Sequence, residues 1–151
     1  MNQTLPVKKI IAWILVVAWA IFIFFMSANT SNDLNTGSSF ISQVFQWLRD
    51  RQLELIGPDI DLVSPAAHFC EYAIFGFFLA YALGLSLKPT FALVVAIVIG
   101  SCYGASDEIH QIFVPGRASD IMDWLVDTCG VTLGACIRYL VVRYQMNANP
   151  K

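Results

Sequence analysis

The chain has 151 residues, 57% of them hydrophobic and only 13% charged, with a formal net charge of -2 and a mean hydropathy of +0.62. A soluble domain carries about a quarter charged residues, so this composition excludes an ordinary soluble globule and describes an integral membrane protein with no room for a separate soluble domain. With no basic tail and no aromatic–basic interleaving, nucleic acid is excluded as a partner, and the lipid bilayer is the partner that remains.

The first apolar run predicts a span over about residues 9–28, close to the ~20 residues that a hydrocarbon core requires. Lys8-Lys9 before an apolar run imitates a secretory signal, but Ile10 to Met26 is long for a signal core and rich in Trp and Phe. No Ala-x-Ala-like site follows it, so the run reads as a retained anchor. It has no ionisable residue beyond Lys9 and is expected to face lipid. The lysines hold its start on the cytoplasmic side by the positive-inside tendency.

Asn29 to Ser39 is polar and turn-rich. Beyond it Phe40, Ile41, Val44, Phe45, Leu48 and Leu55 recur at helical spacing among Gln43, Gln46, Arg49 and Asp50. That pattern predicts an amphipathic helix in the membrane interface with Trp47 at headgroup depth, or else a short re-entrant segment. Gly57-Pro58-Asp59 breaks it.

Ser64-Pro65 has the form of a helix start, with Ser as N-cap and Pro at the first helical position. The second span then covers about 65–87 and carries His68, Glu71 and Tyr72 on one face of its first turns. Lys88-Pro89 restarts a helix, and the third span covers about 90–113. Its stripe of Gly100, Gly104, Asp107 and Gln111 has Glu108 and His110 on its shoulders, and the glycines admit a neighbouring backbone. Val114-Pro115-Gly116-Arg117 has the form of a type II turn. Ser119 or Asp120 then caps a fourth span over about 120–143, whose stripe is Asp123, Asp127, Gly130 and Gly134.

The expected fold is therefore all-α: a four-transmembrane-helix bundle, 1–151 as one membrane domain, with an interfacial amphipathic helix between the first and second spans. Four spans from a cytoplasmic N-terminus return the C-terminus to the same side. Lys8, Lys9, Lys88, Arg143 and Lys151 fall on that side, and Arg49, Arg51 and Arg117 on the other. The polar ends of three spans then meet at the extracytoplasmic face. Cys70, Cys102, Cys129 and Cys136 all lie in apolar runs without a C-x-x-C pair and read as small buried side chains.

His68-Phe69-Cys70-Glu71-Tyr72, Asp107-Glu108-Ile109-His110-Gln111-Ile112-Phe113, Pro115-Gly116-Arg117, and Asp123 with Gly130 and Gly134 together resemble the VanZ-like family over almost the whole chain. The Met26-Ser27 exit from the first span fits as well. Two positions depart from the family pattern. Pro65 stands where a basic residue is frequent, and Asp127 where Asn is common, and both changes make the cluster more acidic. The resemblance implies a bacterial cytoplasmic-membrane protein and, through the family's namesake, a link to low-level resistance to teicoplanin, a glycopeptide that acts on cell-wall precursors.

Ionisable residues between apolar spans are costly and mark functional sites by default. His68, Glu71 and Asp107 are the acid–base candidates. Tyr72, Glu108, His110, Gln111, Arg117, Asp123 and Asp127 are candidates for binding a lipid-linked cell-wall precursor or a phospholipid headgroup, with Arg117 on phosphate. So many carboxylates need compensation from the two histidines, retained protons or a bound cation. A divalent cation is compatible with them but not required, since the spacing matches no dedicated metal motif. Asp120 and Asp123 also suit a purely structural role in a first helical turn. Two other classes fit the pattern, a small proton-coupled transporter and a non-catalytic accessory or scaffold protein. No nucleophile elbow accompanies Ser119.

Overall fold

In a computed structural model the described residues are 4–28, 40–57, 61–115, 117 and 119–148. They form five helices: α1 (Thr4–Ala28), α2 (Phe40–Leu55), α3 (Val63–Gly84), α4 (Pro89–Gln111) and α5 (Ile121–Ala148). No strand occurs among them. All but α2 are long and apolar enough to cross a membrane. At about 1.5 Å per residue these four reach roughly 33–42 Å, which exceeds the ~30 Å of a hydrocarbon core. A spanning segment must satisfy its backbone groups internally, and the helix does so. The protein is an all-helical multi-pass membrane protein with α2 between its first two spans.

The helix boundaries show which local signals act. Lys88 is extended and Pro89 opens α4, where its missing N–H costs nothing. Gly57 after α2 has φ +95°, the left-handed conformation that glycine adopts without strain. Pro58 and Asp59, the rest of that expected break, lie outside the described residues, as does the polar stretch 29–39. The expected start of the second span is corrected. The helix begins at Val63, and Ser64 is not its cap. Asp61 Oδ1 accepts from the amides of Val63 (3.1 Å) and Ser64 (3.3 Å). Gln52 Oε1 on α2 accepts from Leu62 (2.8 Å) and Val63 (3.1 Å). First-turn amides have no intrahelical acceptor, and a side chain from α2 supplies one that local sequence does not reveal.

Asp120, not Ser119, caps α5: its Oδ1 accepts from the Met122 amide at 2.9 Å. The Arg117 amide donates to the Val114 carbonyl at 3.1 Å and closes the turn before it; Gly116 lies outside the described residues.

The most extensive helix contact is between α3 and α5, followed by α4 with α5 and α3 with α4. Small residues make it close. A Cβ on Gly134 would overlap the Ala73 carbonyl, one on Gly76 the Val131 carbonyl, and one on Gly130 would lie 2.5 Å from the Phe69 carbonyl. In lipid the hydrophobic effect does not draw helices together, so close packing of this kind has to.

Two further expectations are corrected. The first span is more than a lipid-facing anchor. Ala12, Val16 and Ile23 of α1 are buried, Trp19 Nε1 donates to the Glu71 carbonyl at 2.8 Å, and the Tyr103 hydroxyl donates to the Ala20 carbonyl at 2.7 Å. The cysteines are not buried either. Cys70, Cys102 and Cys129 lie on the outside of the bundle and Cys136 is half-buried. Glycine and alanine take the interior positions where backbones approach, and thiols are apolar enough to face lipid.

Candidate functional site

The spans that carry polar residues near one end meet there. His68 on α3, Asp107 on α4 and Asp127 on α5 each lie one to two turns inside their helices, roughly 6–9 Å from the nearer end. All three are buried. His68 Nδ1 lies 3.2 Å from Asp127 Oδ1. One potential ligand atom from each of His68, Asp107 and Asp127 falls within 4.8 Å of the other two. An imidazole backed by a carboxylate is held in one orientation, as a proton-transfer group requires, and the same atoms converge closely enough to surround a cation. The acid–base pair expected from sequence joined His68 to Asp107 or Glu71; the direct partner of His68 is Asp127.

The other candidates divide by position. Tyr72, one turn after His68, has no exposed surface, and its hydroxyl has no hydrogen-bond partner among the described residues. Gln111 is buried one turn after Asp107, and its Nε2 donates to Ser27 Oγ at 3.3 Å; both side chains lie beside Asp107. Glu108 turns toward α5: its Oε2 accepts from the Asp120 amide at 2.8 Å, while its buried Oε1 has no partner among the described residues. Asp123 is half-buried in the first turn of α5. His110 leaves the cluster, with its ring stacked on Phe24 of α1 at 4.5 Å between centroids.

A small pocket opens beside the buried cluster, with a cavity volume of about 30 Å³. His68, Glu71 and Asp107 line it with Ser27, Arg49 and Arg117. Asp127, Tyr72, Glu108, His110, Gln111 and Asp123 are not among its lining residues. Arg49 forms an ion pair with Asp61 at 3.2 Å, and Arg117 lies close enough to Glu71 for their charges to interact. The pocket thus has basic groups around it and acids with an imidazole in its wall.

Ser27 and Arg49 are site residues that sequence reasoning passed over. A signal for Ser27 existed: it continues the stripe of Ala12, Val16 and Ile23 that faces the bundle, at helical spacing. Arg49 had none, because only the docking of α2 against α3 brings it to the pocket. Deeper in the bundle Ser101 and Thr128 join α4 to α5 at 2.9 Å, and Trp124 Nε1 donates to the Ser101 carbonyl at 3.1 Å.

A family model described as VanZ/LLP1 matches residues 12–142, a range that reaches into all four spans and includes every residue of this cluster. No curated protein and no solved structure matches the chain significantly.

Proposed function

The chain belongs to the VanZ/LLP1 family, and from that premise we propose that it binds, and acts through, the anionic headgroup of a lipid-linked cell-envelope component at the extracytoplasmic face of the bacterial cytoplasmic membrane. In this reading it contributes to resistance to teicoplanin-type glycopeptides. The observation that carries it is the pocket into which α1, α3 and α4 turn Ser27, His68, Glu71 and Asp107, with Arg49 and Arg117 beside them. Guanidinium groups at the membrane surface suit phosphate, and a pocket at one end of the bundle is within reach of a lipid headgroup. His68, held by Asp127, is the group for proton transfer if a bond is made or broken there.

The orientation rests on charge. Lys8, Lys9, Lys88 and Arg143 lie toward the end of the bundle opposite the pocket, which is therefore the cytoplasmic end. A proton-coupled transporter fits less well, because the acids of the spans gather near one end instead of forming a relay through the bundle.

The test is genetic. His68→Gln, Asp107→Asn and Arg117→Gln are expressed singly in a strain lacking its own copy, and teicoplanin susceptibility is compared with membrane abundance. Lost protection at normal abundance is expected of all three. Full protection from all three at normal abundance would falsify the reading. Protection that only tracks abundance favours the scaffold role, and proton-gradient-dependent flux in proteoliposomes favours transport.

A further inference from the structure

We propose that His68, Asp107 and Asp127 are the protein ligands of a divalent transition-metal ion, with zinc the best fit, seated at the floor of the pocket. The residues come from three different helices, and each is at least nine-tenths buried. Their ligand atoms lie within 4.8 Å of one another. Around an ion with bonds of about 2.1 Å, neighbouring ligand atoms lie about 3.0–3.4 Å apart and opposite ones about 4.2 Å. The 3.2 Å between His68 Nδ1 and Asp127 Oδ1 already equals one edge of such a polyhedron. From the 4.8 Å limit to an edge of about 3.4 Å the remaining contraction is at most about 1.4 Å, within reach of side-chain rotation.

An independent observation points to the same place. Tyr72 is fully buried, and its hydroxyl has no partner among the described residues. It follows His68 by one turn on the same face of α3, and the charges that act most strongly on it are those of Asp107 and Asp127, so the unpartnered hydroxyl lies in the field of the two carboxylates. Asp127 Oδ2 and Asp107 Oδ2 are likewise buried and unpartnered among the described residues. Buried polar atoms are normally satisfied. Three buried oxygens without a partner among the described residues, two of them on the residues grouped with His68, are groups that a cation satisfies and an apolar side chain does not.

The charge balance agrees. One imidazolium compensates one of the two carboxylates, and a divalent ion with neutral imidazole compensates both. Magnesium and calcium take oxygen ligands almost throughout. One imidazole with two carboxylates suits zinc, with manganese or iron(II) next. Three protein ligands leave a coordination position open, as in catalytic zinc sites. His68 and Asp107 line the pocket whereas Asp127 lies behind it, so that open position faces the pocket.

The full chain is purified in detergent, its tag removed, stripped with a strong chelator and equilibrated separately with Zn²⁺, Mn²⁺ and Co²⁺. Bound metal is counted by mass spectrometry. About one ion per chain is expected, with imidazole back-scattering in the X-ray absorption spectrum of the zinc form and a ligand-field band for the cobalt form. Asp107→Asn, Asp127→Asn and His68→Gln should each weaken binding by about tenfold or more. Uptake below about one-tenth of an equivalent of all three ions overturns the proposal, and so does a zinc spectrum without imidazole. The spectrum is read on the unsubstituted chain, so the test does not depend on any variant folding. The proposal does not rest on what fills the pocket: lost teicoplanin protection in the variants together with a metal-free chain would sink the metal and leave the headgroup reading standing.

Discussion

Asp127 has no exposed surface, and its two oxygens have different surroundings. Oδ1 is paired with His68 at 3.2 Å, whereas Oδ2 is turned toward Gly104, where an added Cβ would come within 3.3 Å of it. Gly104 thus makes room on α4 for a carboxylate of α5. Glu108 shows how a candidate binding residue can have structural work of its own. Its Oε2 accepts the Asp120 amide at 2.8 Å, tying the end of α4 to the cap of α5. Glu108→Ala leaves that amide without its acceptor and should cost about 1–3 kcal/mol, whereas Glu108→Gln keeps an acceptor oxygen and should cost less than half as much. Thermal unfolding of both variants in micelles measures the difference; equal losses would refute the structural role. The residue-scale signals divide the same way. His68, Asp107 and Asp127 were visible in the sequence because ionisable groups in apolar spans stand out. That His68 meets Asp127 and His110 stacks on Phe24 was not visible, because helical periodicity gives a face without specifying the neighbour opposite.

At the scale of the element, α5 is the centre of the bundle. Gly130 and Gly134 bring its backbone against α3, and Val131 between them fills the space left by Gly100 on α4. Gly134→Val should force the two helices apart, lower stability by about 1–3 kcal/mol and, by displacing α5, separate Asp127 from His68. Gly84 ends α3 with nothing near its Cβ position, so Gly84→Ala should be neutral within about 0.5 kcal/mol. Melting temperatures of the pair, measured in one detergent, decide the matter: similar losses for both would mean that close approach is not what holds α3 to α5. The glycine stripes were legible as small faces. Their pairing was not, and neither was the role of α1, whose lack of ionisable residues suggested a passive anchor. Its Trp19 and Ser27 instead reach the α3–α4 side of the bundle, where hydrogen bonds to a carbonyl and to buried side chains are available.

For the whole molecule, four crossing helices place the α3–α4 turn and the end of α5 on one side and the pocket on the other. In a chain with its four native cysteines replaced, Ser119→Cys should react with a membrane-impermeant thiol reagent added to intact cells. Asn147→Cys should react only after the membrane is opened. Both positions are exposed, so the contrast reports sidedness; the reverse pattern would move the pocket to the cytoplasmic face and remove the envelope component as its ligand. The sequence by itself determined the membrane class, the four spans, the helix between the first two and the end of the bundle at which the acids collect. Those features depend on local quantities: run length, hydropathy, helical period and the sign of flanking charges. Only the tertiary structure decided which acid meets which imidazole, that Ser27 and Arg49 join the pocket, that Gln52 and Asp61 satisfy the start of α3, and that the cysteines face outward. These depend on how helices rotate and approach one another, and in lipid that is set by the fit of one small face against another. The polar run Asp107 to Gln111 marks where the site is, and the packing of α3, α4 and α5 makes it a site.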